Sequence, residues 1–282
     1  MITKKIFFIA DFFKKDIIGG AESNDEVLIQ YLSTEYNVER VRCYDFDKKT
    51  LDKKNIFLIS NFASLSPENK KLLENEYYII YEHDHKYIKT RDPSLFKDFV
   101  VPNNQLANET FYQNAKAVVV LSNICQKIIA KNLHIDNVYN IGCSLWSDEK
   151  LDFIETLISQ KKNEKFAIIG SENPIKNTYS AMEYCRKNNI DCDMIDPCPE
   201  KELLVKLSSY KGLVFFPGVL ETFSRISAEA KMLNCQLLTK PKLLGFASEE
   251  IYKLSGLELL QQIRQRKKIA LDLFSELIEK IK

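Results

Sequence analysis

Apolar residues fall along this chain in short runs separated by longer amphipathic stretches. The runs Lys5–Phe12, Val38–Cys43, Ile56–Ser60, Tyr77–Tyr81, Ala117–Leu121 and Val138–Ile141 are rich in β-branched and aromatic residues and read as strands. Between them, Ala21–Tyr36, Pro67–Glu76 and Asn123–Asn132 carry helical spacing. The stretch 147–165 is charge-rich, lacks strand character and predicts a helix over Glu149–Gln160. The alternation then restarts. Strands are expected at Phe166–Gly170, Cys192–Ile195, Gly212–Phe216 and Cys235–Thr239, and helices at Ile175–Lys187, Glu200–Ser208 and Ser224–Leu233. Ala247–Lys282 reads as mostly helical with a break at Gly256. Parallel strands need crossover connections, so this alternation predicts parallel sheets with helices on both faces. The expected architecture is α/β: two doubly wound, Rossmann-like domains, 1–147 and 148–282, facing across a cleft. The last helix is free to pack back on the first domain. Ligands in such sheets bind beyond the carboxyl ends of the strands, so residues following strands carry the functional interest.

Composition narrows the function classes. Among 282 residues, Lys and Arg total 40 and Asp and Glu 39, a net charge of +1. That balance excludes a protein whose main role is to coat nucleic acid by bulk charge, although a local basic groove remains open. Seven cysteines without a CxxC pair, and three histidines, argue against a disulfide framework and a structural zinc site. Cys43 and Cys235 sit in apolar runs as small core residues, and a reducing, cytoplasmic setting is expected. The opening MITKKIFFIADFFKK is interrupted by Asp11 and reads as a first strand rather than a leader, and no run reaches membrane-spanning length.

The strongest chemical signal is Phe216–Thr239, FPGVLETFSRISAEAKMLNCQLLT. Glu221 lies in the loop after a strand, and Glu229 lies within the next helix. That helix starts near Phe223–Ser224, where free backbone N–H groups favour an anion. Taken by spacing alone, Glu221 reads as an N-terminal capping charge and Glu229 as a solvated helix residue, because two Glu eight residues apart are common. The segment, however, resembles the Glu-x7-Glu element of glycosyltransferase family 4 and related GT-B enzymes. It keeps Glu221, Phe223, Glu229, Ala230 and the strand after Cys235, and has Ser224 and Asn234 where that family has Gly. Serine suits a helix start, and asparagine tolerates left-handed backbone.

Other segments fall in the order such an enzyme requires. Gly19-Gly20-Ala21-Glu22 resembles the family's N-terminal GGAE loop, where glycines let the backbone approach a diphosphate or sugar. IIGSENPIKNTYSAMEY resembles the strand–loop–Lys segment that opens the nucleotide domain, with Ser171 where the family has Arg. AVVVLSNICQKIIAKNLHIDNVYNIG is similar to the segment that closes the first domain. After the strand YYIIY comes Glu82-His83-Asp84-His85-Lys86, a poor choice for a core. Its bland readings are a solvated loop or a metal site short of a third ligand. It also resembles the Gln-His-Asp-His stretch of phage DNA α-glucosyltransferases, themselves GT-B enzymes. Two DxD sequences, at 45–47 and 191–193, read as solvated loop acids.

The resemblance implies the GT-B fold and a metal-independent, retaining hexosyl- or pentosyltransferase. It also implies a nucleotide-sugar donor, UDP-linked, and no cofactor. By that implication Gly19, Gly20, Lys176, Thr222, Phe223, Ser224, Arg225 and Glu229 bind the donor. His83, Asp84 and Glu221 are the catalytic candidates, and His85, Lys86 and Arg91 lie on the acceptor side. The acceptor is a surface or lipid-linked glycan or a hydroxymethylated base in phage DNA; Lys86, Lys89, Arg91 and Lys97 form a modest basic group able to track phosphates, or a solvated loop offset by Asp92 and Asp98. No obligate protein partner is expected. The alternative is a non-catalytic binding module for nucleotide-sugars or glycans on the same fold, which the missing Arg at Ser171 favours.

Overall fold

The computed structural model describes residues 5–280, in two units: 5–146 with 266–280, and 147–265. Each is built on its own parallel sheet.

In the first unit the strands are β1 (Lys5–Ala10), β2 (Asn37–Arg42), β3 (Ile56–Ile59), β4 (Tyr78–Tyr81), β5 (Ala117–Val120) and β6 (Val138–Asn140). They pair in the order β2-β1-β3-β4-β5-β6. Strands β3, β4 and β5 are buried at every position, as expected of central parallel strands covered on both faces. Helices α1 (Gly20–Leu32), α2 (Pro67–Leu73), α3 (Glu109–Gln113) and α4 (Asn123–Leu133) make the crossovers. Their starts follow local chemistry: Ser66 caps α2 through its side chain, with Pro67 at the first helical position.

The second unit holds helix α5 (Asp148–Leu157), then β7 (Phe166–Ile169), helix α6 (Thr178–Lys187), β8 (Cys192–Ile195), helix α7 (Glu200–Ser208), β9 (Gly212–Phe215), helix α8 (Arg225–Met232) and β10 (Gln236–Thr239). The sheet order is β10-β9-β7-β8. Phe166, Ile168, Val214 and Phe216 pack with Ala181 and Cys185 of α6. Helix α8 packs on β9 and β10 and touches α5 and α7.

Both sheets share one topological feature. In the first unit the second strand lies on one side of β1 and the third on the other, so the winding reverses between β1 and β3. In the second unit the same reversal falls between β7 and β9. The loops leaving these strand pairs diverge to opposite faces and leave a crevice at the carboxyl edge.

Several boundaries differ from the sequence expectation. The Ile175–Lys187 helix is two pieces, because Asn177 takes a left-handed conformation between a 3-10 turn at Pro174–Lys176 and α6. Ala247–Ser255 is not continuous helix; it contains 3-10 turns, and Gly256 is the first residue of helix α9 (Gly256–Glu279) rather than a break within it. Residues 266–280 group with the first unit. Met1–Lys4 and the end of the final expected helix, 281–282, lie outside the described residues. No helix among those described is long and apolar enough to cross a membrane.

Candidate functional site

In the second unit, the loops after β7 and β9 bring Lys176 and Glu221 together. Lys176 Nζ donates to Glu221 Oε1 at 2.8 Å, with the lysine side chain 42% exposed and the glutamate 15%. Backbone bonds fix both loops. Gly218 N donates to Ile175 O at 2.8 Å and ties one loop to the other. Glu221 is pinned on both sides, its N–H donating to Leu243 O and its carbonyl accepting from Gly245 N. The pair thus sits at the crevice where β7 and β9 diverge, held by backbone rather than by long side chains.

Helix α8 starts beside this pair. Its cap, Ser224, has φ +77, in the left-handed region, and makes no capping bond to the helix backbone. Serine holds this left-handed backbone under strain of about 1–2 kcal/mol. This corrects the expectation that Ser224 acts as an ordinary cap; its hydroxyl bonds Ser227 Oγ at 2.9 Å instead. Asn234 behaves as expected. It is left-handed at φ +60, and Cys235 N closes on Ala230 O while Asn234 N closes on Lys231 O, a Schellman ending.

Glu229 lies on α8, 4% exposed, and is not a solvated helix residue. Lys150 Nζ donates to its Oε1 at 2.5 Å, and Arg225 Nε lies 4.0 Å from the same oxygen. Lys150 was missed from sequence, although its signal is there. It stands in the first turn of α5, where the helix dipole favours acids, so a lysine there serves something other than the helix. Thr222 follows Glu221 in the same loop and is partly buried. Phe223 is 1% exposed and packs on Phe246 at 5.2 Å, so its side chain anchors the loop instead of lining the crevice.

The first unit builds a second polar cluster where β1 and β3 diverge. Gly19 precedes α1 in extended backbone, and a Cβ there would collide with the Glu22 carboxylate. Gly19 thus lets Glu22 fold back over the helix start. Burial raises the Glu22 carboxyl above its usual range, and the neighbouring Asp25 charge adds to the rise. Asp25 is 1% exposed; its Oδ1 lies 3.0 Å from His83 Nε2, and its Oδ2 accepts from Ser60 Oγ at 2.7 Å. Asn61 Nδ2 reaches Glu22 Oε1 at 3.4 Å. Asp11, at the end of β1, accepts from Ala63 N and Ser64 N and fixes the loop after β3.

The segment after β4 corrects the sequence reading in part. His83 joins the cluster, and Asp84 pairs at the surface with Arg91 Nη1 at 2.9 Å. His85 and Lys86, expected on the acceptor side, are interior residues, 1% and 4% exposed. His85 takes φ +52, its Nδ1 meets the Tyr87 hydroxyl at 3.1 Å, and burial lowers its pKa so that it stays neutral. Lys86 Nζ is held by Glu82 Oε1 at 3.0 Å. Burial alone would raise the Glu82 carboxyl, but Lys86, the Tyr112 hydroxyl and the Asp84 N–H outweigh it and hold the pKa at about 2. The ionisable run is affordable in the core because each charge is paired and hydrogen-bonded. Among the described residues, no group of three or more His, Cys, Asp and Glu is arranged to hold a metal ion.

Comparison with known proteins places the fold. No protein-family profile matches the chain, and no curated protein matches it. Solved structures do. An α,α-trehalose 6-phosphate synthase from Burkholderia multivorans is similar over 96% of this chain and 89% of its own, with a TM-score of 0.58 and 8% identity. The catalytic domain of starch synthase IV from Arabidopsis thaliana, bound to ADP and acarbose, is similar over 99% of both chains, with a TM-score of 0.53 and 9% identity. HepE from Anabaena, in complex with UDP and glucose, covers 94% of this chain and 89% of its own at a TM-score of 0.50 and 12% identity. The chain has the GT-B fold. At these identities the likeness is one of fold.

Proposed function

We propose that this protein is a glycosyltransferase that moves a sugar from a nucleotide-sugar to a hydroxyl acceptor. The observation that carries the reading is the Lys176–Glu221 pair at the crevice between β7 and β9, beside the start of α8. A departing nucleoside diphosphate develops negative charge. Lys176, Arg225 and the N–H groups at the start of α8 supply positive potential in one crevice, which stabilises that charge as it forms. Glu221 accepts hydrogen bonds from sugar hydroxyls once the donor draws Lys176 to its phosphates. Glu229, held by Lys150, accepts from the ribose hydroxyls.

The finer reading is a UDP-linked donor and transfer with retention. The bond between the anomeric carbon and the phosphate oxygen breaks, the acceptor oxygen bonds that carbon from the same face, and the acceptor proton passes to the departing phosphate. No metal or other cofactor enters this scheme. Gly20, Glu22, His83 and Asp84 in the first unit offer polar contacts to sugar or acceptor hydroxyls. Between the two acceptor classes we favour a glycan. Of the four basic residues set against a DNA acceptor, Lys86 is buried against Glu82 and Arg91 is paired with Asp84 at the surface, while Lys89 and Lys97 are exposed.

A second reading, a binding module without turnover, rests on Ser171 in place of the family's Arg. One experiment addresses both. A panel of nucleotides and nucleotide-sugars is tested by thermal shift, because a ligand that binds the folded state raises Tm. The proposal expects a rise with at least one nucleotide-sugar, lost in Lys176→Ala, together with release of nucleoside diphosphate. Binding without release selects the module, and no shift with any donor contradicts both.

A further inference from the structure

The loops that leave β1 and β2 carry an apolar patch for which sugar transfer itself has no use. Phe12 and Ile17 are each 45% exposed and Tyr44 63%, while Ile18, at 81%, is the most exposed large hydrophobic among the described residues. The two loops lie side by side, because Ala10 at the end of β1 pairs with Arg42 at the end of β2. Arg42 then ties them together. Its Nη1 donates to the Tyr44 hydroxyl at 2.7 Å and its Nε to Asp16 Oδ2 at 3.3 Å. The first loop is held rather than loose. Phe13 is buried and packs on Phe8, Phe13 N donates to Asp16 Oδ2 at 3.0 Å, and Asp16 N and Ile17 N both close on Phe13 O. Phe12, Ile17 and Ile18 are thereby fixed facing water, and a grouped apolar surface of this kind marks a docking site.

Charge names the partner. Residues 12–18 and 42–49 hold Lys14, Lys15, Arg42, Lys48 and Lys49 against Asp16, Asp45 and Asp47, two positive charges in excess, although the whole chain carries only +1. Asp16, the one acid of the first loop, is paired with Arg42, and Lys14 and Lys15 stand exposed beside the isoleucines. We propose that this patch docks on an anionic lipid surface. Phe12, Ile17 and Ile18 enter the acyl boundary, Tyr44 sits at the headgroup level, and Lys14 and Lys15 meet the lipid phosphates. A side chain as exposed as Ile18 suits insertion among acyl chains, which require no fitted pocket. Ile18 directly precedes Gly19, so docking sets the crevice at Gly19–Glu22 against the membrane. Resting on the sugar-transfer reading, the acceptor hydroxyl then belongs to a lipid headgroup.

The test uses the full chain and vesicles, with no donor present. Vesicles of equal parts phosphatidylcholine and phosphatidylglycerol are expected to float the protein in a density gradient, and pure phosphatidylcholine to float far less. Added salt weakens the capture. Lys14→Glu with Lys15→Glu lowers the partition coefficient by about fivefold or more for each lysine. Ile17→Ser with Ile18→Ser lowers it by about tenfold or more. Tyr179→Ser, which removes a 73% exposed ring from the second unit, leaves it unchanged. Insertion is read separately. Trp146, the sole tryptophan, is fully buried, so a blue shift in Ile18→Trp and its quenching by brominated lipid report on the loop. No capture on anionic vesicles, or capture undiminished in both loop variants, overturns the proposal. Self-association abolished by the isoleucine variant, without capture, gives the patch to a second copy and also overturns it. Capture without turnover of any nucleotide-sugar keeps the docking and fails the sugar-transfer reading, and turnover without capture does the reverse.

Discussion

Glu22 is held in the folded protein at an energetic disadvantage when ionised. Its folded pKa is raised by burial, so its ionised form is destabilising at neutral pH, and the penalty disappears once pH falls below the usual carboxylate range. Glu22→Gln is therefore expected to raise Tm at pH 7 and to give no gain near pH 4, read by thermal melts at both values. Glu82 has the opposite sign. Its folded pKa of about 2 lies below the unfolded value, so its stabilisation is complete above about pH 4.5 and is lost as pH falls toward 2. Tyr112→Phe removes one donor to that carboxylate. It should cost about 1–3 kcal/mol in urea unfolding at pH 7 and move the onset of acid destabilisation to higher pH. At this scale the sequence misjudged some environments. His83 and Asp84 stood out by clustering, but nothing local says that His85 and Lys86 turn inward, because that depends on Glu82 and Tyr112 waiting in the interior. Asp25 did leave a trace. With Glu22, Leu28, Ile29 and Leu32 it lies on the buried stripe of α1, and an acid on such a stripe calls for a partner.

Strands and most helices were legible from the alternation of apolar runs, since burial on both faces of a parallel sheet leaves a continuous signal. Boundaries that depend on single left-handed residues were not. Asn177 divides one expected helix, and Ser224 starts another at positive φ, both set by loops that must reach the crevice. Glycines mark the tightest approaches. At Gly212, at the start of β9, an added Cβ would lie 2.6 Å from Gln236 O and against the Phe166 ring, so Gly212→Ala is expected to cost about 1–3 kcal/mol or more. At Gly256, φ is +54 and a Cβ would lie 2.8 Å from Asn234 Cγ, so Gly256→Ala combines strain with a clash against the end of α8. Its expected loss is about 1–2 kcal/mol, measured by chemical denaturation.

Over the whole chain, two sheets with the same reversal each gather a polar cluster where the strands diverge. The sequence predicted both sheets, and the order of its motifs pointed to these loops, but pairing order is not encoded locally and only the structure shows that the loops meet. The near-zero net charge agrees with a small substrate more than with a nucleic acid. With Lys86 buried against Glu82 and Arg91 paired with Asp84 at the surface, binding to unmodified duplex DNA in about 150 mM salt is expected to be weaker than about 100 µM by fluorescence anisotropy. A tighter constant would reopen the DNA acceptor.

The central claim is that the crevice holding Lys176 and Glu221 stabilises a departing nucleoside diphosphate. Release of UDP from UDP-sugars, by hydrolysis or by transfer to added glycans, measures it most directly. Wild type should release UDP, and Lys176→Ala and Glu221→Ala should each reduce the rate by about 100-fold or more while melting within a degree or two of wild type. Undiminished release in both variants would contradict the account.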